Sequence, residues 1–160
     1  MRGSLYRGLA FVAVLTTGLA VAGCGGGNGT STTAAISKAD FLKKGNAICK
    51  KGNQSIKLAG NHLLPQGKQP TAAQKQQFTN VALLTIQAEI LRVKRLGAPP
   101  GDEAKVNAII ASAQAALQKV KQDPSVLFKQ NSDPFAEANK LANAYGLTAC
   151  GGGGGGGGSS

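Results

Sequence analysis

Apolar and small residues recur at helical spacing in four stretches of the chain. In the first, Phe41, Gly45, Ile48, Gly52, Ile56, Ala59 and Leu63 follow one another in steps of three and four, which puts them on one helical face. Ser37 and Asp40 at its start resemble a capping box, with Asp shorter than the usual Glu. Pro65 ends it. Gly45 and Gly52 each weaken this helix by roughly 1 kcal/mol relative to Ala; on the inner face they would let a neighbouring helix approach closely. The second stretch opens at Thr71 with Gln74, a capping-box pair, and runs to about Leu96, where Gly97 and Pro99-Pro100 stop it. Its polar stripe is narrow (Gln76, Asn80, Gln87, Lys94), so it is expected to be central and covered by its neighbours.

The third stretch runs from about Asp102 to Gln122, with Val106, Ile109, Ile110, Ala113, Leu117 and Val120 on one face. Asp102 and Glu103 in its first turn, and Lys119 and Lys121 in its last, suit the helix dipole. Asp123-Pro124 ends it and opens a short helix through Lys129. The same device recurs at Asp133-Pro134, ahead of a face formed by Phe135, Ala138, Leu141, Ala142 and Tyr145. Gly146 followed by Leu147 predicts a left-handed terminator with its apolar contact. No stretch alternates at period two. The reading is all-α: a small up-down bundle of about four helices.

These elements place one domain at 36–150, a length that suits one core. Residues 25–35 read GGGNGTSTTAA, a flexible linker that spans roughly 17–20 Å. Residues 151–160 are glycines and serines with nothing to offset the entropy of ordering them, so a disordered tail is expected.

The first 23 residues have a different layout. Arg2 and Arg7 precede an uncharged, mostly apolar run from Gly8 to Ala20, followed by small residues. That is the plan of an export signal. The run is short for a bilayer span of roughly 20 residues. Arg2 and Arg7 are not adjacent, so a twin-arginine signal is not supported. Val21-Ala22-Gly23-Cys24 resembles the lipobox of bacterial lipoprotein signal peptides. The resemblance implies cleavage between Gly23 and Cys24 and a diacylglycerol on the Cys24 thiol. A further acyl chain such as palmitate on the new N-terminus is often present. Residues 1–23 would then be a signal peptide, and the protein would be anchored at the extracytoplasmic face of the cell membrane. Two or three chains anchor stably where one is marginal. An ordinary secretory signal and an uncleaved anchor helix are the alternatives.

Removal of Arg2 and Arg7 lowers the formal charge from +11 to +9. Lys43, Lys50 and Lys57 recur every seven residues, with Lys44 and Lys51 beside them. They form a basic stripe opposite the apolar face of the first helix. Such a surface would favour anionic lipid headgroups, wall polymers or an acidic envelope protein; simple solubility is the bland alternative. Trp is absent and Phe and Tyr are few, which argues against stacked sugars and against single-stranded nucleic acid as partners.

With Cys24 assigned to lipid, Cys49 and Cys150 remain as an even pair in an oxidising compartment. A bridge would pin the end of the chain to the first helix and contribute up to roughly 4.7 kcal/mol by chain entropy. A redox-active or metal-binding thiol pair is the alternative, although no Cys-x-x-Cys occurs. Glu89 falls on the apolar side of the second helix, with Arg92 at i+3 as a local partner. A buried carboxylate must be paired, hydrogen-bonded or protonated. Glu89 is therefore read as part of an internal ion pair with Arg92, as a snorkelling contact at the rim, or as the polar anchor of a small ligand cleft between helices. His62, the one histidine, has no carboxylates near it in sequence and makes a poor metal ligand. No catalytic constellation, metal site or cofactor motif is evident, so an enzyme is not expected.

Several pieces resemble small two-cysteine lipoproteins and secreted proteins of high-GC actinobacteria. They are Ser37-Lys38-Ala39-Asp40-Phe41 with Ala47-Ile48-Cys49; Leu96-Gly97-Ala98-Pro99-Pro100-Gly101-Asp102-Glu103; and Asp133-Pro134-Phe135 with Tyr145-Gly146-Leu147 and Cys150. The resemblance implies a fold and supports the Cys49–Cys150 bridge, but it brings no activity. The expected function is a lipid-anchored, non-catalytic helical domain that binds a protein or an anionic envelope component. A small-molecule carrier or sensor with a cleft near Glu89 is the alternative.

Overall fold

The computed structural model describes residues 35–152. Residues 1–34, with the expected signal peptide, Gly23, Cys24 and most of the expected linker, and residues 153–160 of the expected tail lie outside the described residues.

Four long helices and a terminal single turn are present: α1 (Lys38–Leu63), α2 (Ala72–Arg95), α3 (Glu103–Gln122), α4 (Ala136–Tyr145) and α5 (Thr148–Gly151), with a 3-10 helix at Pro124–Phe128. No strand occurs among the described residues. Consecutive helices pack on one another. Gly52 faces Glu89 and Gly60 faces Phe78 across the α1–α2 seam, so these two helices run antiparallel.

The starts and stops follow local chemistry. The Ser37 hydroxyl accepts from the Asp40 amide at 3.1 Å and donates to the Asp40 carboxylate at 2.8 Å. Asp40 therefore meets the side chain of Ser37, where the longer Glu of a full capping box would meet its backbone. Thr71 and Gln74 form the complete box. Gly97 adopts a left-handed φ of 73° after α2. Asp123 caps the 3-10 helix, with Pro124 in its first turn. α4 starts later than the sequence implies. Asp133 accepts from the Phe135 amide at 2.9 Å and its carbonyl takes the Ala136 amide, so it closes a turn ahead of the helix.

The core joins Phe41 and Cys49 of α1, Ile90 and Val93 of α2, and Phe135, Ala142, Tyr145 and Leu147 near the C-terminus. α3 supplies the largest buried share, including Val106, Ile109, Leu117 and Val120. α2 is not the fully covered helix that its composition suggests. Leu84 is 70% exposed, and Val81 and Leu91 are also exposed. They stand on the outer side of α2, and no further element lies over them. α3, itself exposed along its outer side, contributes more buried side chains than α2.

The last described residues are built onto α1. Gly146, at φ 105°, ends α4, and the Leu147 amide donates back to the Ala142 carbonyl at 2.8 Å. This is a Schellman terminator. Leu147 is 1% exposed. A Cβ at Gly45 would stand 2.6 Å from its Cδ2, so the missing side chain of Gly45 makes room for Leu147. α5 then continues as one turn, and Gly151 belongs to it: its amide donates to the Leu147 carbonyl at 3.0 Å.

Candidate functional site

The disulfide links Cys49 of α1 to Cys150 of α5, with Cα atoms 5.0 Å apart. Two asparagines of α1, seven residues apart, hold the same segment. Asn46 Nδ2 donates to the Gly146 carbonyl at 3.0 Å, and Asn46 Oδ1 accepts from the Ala149 amide at 2.8 Å. Asn53 Nδ2 donates to the Ala149 carbonyl at 2.7 Å. Hydrogen bonds, the bridge and Leu147 thus fasten the C-terminal turn along two turns of α1.

This fastening spans a gap. No Cα of α1 comes within 8 Å of one in α4; the two helices meet through α5 and, at one end, through Phe41 and Tyr145. Between them lies a cleft of about 90 Å³. Ile56 and Asn53 of α1 line it, with Ala138 and Asn139 of α4. Ile86, Ile90 and Val93 of α2, Ile110 and Ala113 of α3, and both cysteines of the disulfide complete the lining. The walls are almost wholly apolar.

Glu89 is the charged residue of this cleft. Its Oε1 is buried and has no hydrogen-bond partner. Any side chain at Gly52 would overlap its carboxyl group, so Gly52 is the notch that lets the group lie against α1. Burial pushes the carboxyl up to about 7, and the nearby Arg92 charge only partly opposes that. Arg92 makes no ion pair with it and is exposed. The expected internal Glu89–Arg92 pair is therefore replaced by a half-buried carboxyl with one orphaned oxygen. At i+3, Arg92 falls on the outer edge of α2, where its guanidinium keeps its water. There it borders a second, outer groove with Lys51, Gly52, Ser55, Leu84 and Ala88. Glu89 lines both spaces and separates them.

Lys43, Lys44, Lys50, Lys51 and Lys57 are all exposed on α1. Among the described residues none of them takes part in an ion pair. His62 is exposed near the end of α1. No group of three or more His, Cys, Asp or Glu gathers among the described residues, and none of the described helices is long and apolar enough to cross a membrane.

One polar cluster has no local sequence signal. Asp102 precedes α3 but makes no side-chain cap. It accepts from the Tyr145 hydroxyl at 3.0 Å and pairs with Lys38 at 3.2 Å and Lys105 at 3.4 Å. Partial desolvation pushes its carboxyl upward. The bonds from Tyr145, Lys38 and Lys105 and the Lys38 charge outweigh that, and hold it below the usual aspartate range. Tyr145 is pushed up to about 12 by burial, and also by the hydrogen bond to Asp102 and its charge. Lys38 lies 4.8 Å over the Tyr145 ring, which packs edge-on against Phe41. The cluster fastens the starts of α1 and α3 to the end of α4, a structural task.

Fold and site together define a small all-α bundle whose C-terminal turn is locked to its first helix over a half-open cleft. No family model, curated protein or solved structure matches the chain.

Proposed function

We propose that this protein is a non-enzymatic, lipid-tethered envelope domain that lays its α1–α2 face on an anionic membrane surface. The tether is the lipid on Cys24 that the lipobox implies. The observation that carries the reading is the lysine face: five exposed ammonium groups free of internal partners. Lys43 and Lys57 are separated by about 21 Å of helix. Spread, flexible point charges suit a diffuse polyanion better than a shaped pocket.

Apolar neighbours favour lipid over a hydrophilic wall polymer. Leu84 shares a groove with Lys51, and Leu58, seven residues beyond Lys51 on the same side of α1, is 59% exposed. A face that is basic and apolar together fits the headgroup region.

The test is co-sedimentation with vesicles of anionic and of neutral lipid. With about 1 kcal/mol per lysine at the surface, Lys43→Glu/Lys50→Glu/Lys57→Glu should weaken anionic-vesicle binding roughly 100-fold. Leu58→Ser/Leu84→Ser should weaken vesicle binding but spare wall polymer. Vesicle binding that survives both sets of changes would remove this reading.

A further inference from the structure

A carboxyl oxygen buried without a partner is costly, and an apolar side chain of similar size would fill the Glu89 position more cheaply. The fold nevertheless keeps a notch for it at Gly52. It also keeps an apolar cleft beside it, lined from α1, α2, α3 and α4. An orphan acceptor at the edge of an open apolar space is the arrangement in which a ligand's donor gains most.

We propose that the cleft is a binding site for a small amphiphile, with a short alkyl segment among Ile86, Ile90, Val93, Ile110 and Ala113 and a hydroxyl or ammonium head donating to Glu89. The volume sets the size. About 90 Å³ is well under the roughly 150 Å³ of an engineered apolar cavity that takes up benzene, so the buried part is a few carbons long. The terminal torsion of a glutamate is broad, so its carboxyl turns from Gly52 toward the cleft without leaving its place. Asn53 and Asn139 in the lining are already engaged with Ala149 and Asp133. Those bonds use their Nδ2 donors and leave two neutral Oδ1 acceptors; Glu89 is the one acidic acceptor that lines the cleft. The cations near the carboxyl, Lys51 and Arg92, line the outer groove and not the cleft. The site is independent of the lysine face and does not require the membrane reading.

The experiment is a methyl-detected NMR titration of the disulfide-bonded protein at pH 8 with 1-butanol, butylammonium and butyrate. Ligands this small should bind with constants of about 1–10 mM. Butanol, butylammonium or both should shift the methyls of Ile86, Ile90, Val93, Ile110 and Ala113, and butyrate should not. Glu89→Met should weaken binding at least tenfold while the protein stays folded. Ala113→Leu, which fills the cleft and leaves Glu89 in place, should abolish it, and charge reversal of the lysines should not change it. Shifts absent from these methyls, equal with butyrate, or retained in Glu89→Met would overturn the proposal.

Discussion

Gly45 and Gly52 are two notches on one face of α1, seven residues apart, and they are filled in opposite ways. Gly45 receives the buried, apolar side chain of Leu147. Gly52 receives the carboxyl of Glu89, one oxygen of which has no partner. Beside Gly45, Asn46 takes the backbone of the terminal turn, and the disulfide lies one turn on. Around Gly52 an acidic group, an open cleft and an outer groove meet. The same backbone device serves closure in one place and leaves an unsatisfied acceptor in the other.

That contrast can be broken from either side. The largest effect is expected at the first notch. Leu147→Ala should cost about 2–5 kcal/mol in urea unfolding, and Cys49→Ser/Cys150→Ser a similar amount. A loss under 1 kcal/mol for both would show that the terminal turn does not brace the fold. Next comes the second notch, where Gly52→Ala should cost about 1–3 kcal/mol through overpacking against Glu89. The Gly52→Ala/Glu89→Ala double change should recover much of that loss, because the clash is removed.

The carboxyl itself gives a pH signature. Its folded value of about 7 lies above its ordinary 4.5, so the folded protein holds this proton more tightly than the unfolded chain. Its contribution to stability is fullest below pH 4.5 and is lost as pH rises through 7. After allowance for partial exposure the loss is roughly 2 kcal/mol. Glu89→Gln should flatten that slope, and a variant whose stability still falls over the same range would detach the effect from Glu89. The smallest change is expected on the lysine face, where each Lys→Glu substitution should alter stability by no more than about 0.5 kcal/mol. A larger loss in thermal unfolding would mean that the stripe supports the fold.

Local rules were readable in the chain because their partners lie within a turn of one another. Thr71 with Gln74, Asp123 with Pro124, and Gly146 with Leu147 behave as their spacing implies. Glu89 was conspicuous as a charge among apolar positions, and Cys49 and Cys150 as the even pair. What escaped depends on distance along the chain. Asn46 meets Gly146 and Ala149 about a hundred residues away, and Asp102 meets Tyr145 across 43. Nothing local marks such pairs, although asparagines at the seven-residue spacing of the glycines were a faint signal. α2 misled for a related reason. Its breadth of apolar residues suggested cover on all sides, yet Leu84 and Leu91 remain exposed. Periodicity says which faces are apolar and not how many neighbours will arrive.

The bridge between α1 and α5 also shapes how the molecule carries tension. Its cysteines are 101 positions apart, so they enclose α2, α3 and α4 in one covalent loop. A pull between the two ends of the chain passes along the first part of α1 and across the sulfur pair, and bypasses those helices. Stretched singly, the oxidised protein should lengthen only by what lies outside the loop, and reduction should release the rest. A domain that is tugged from its N-terminal side would thus keep its cleft shielded from load.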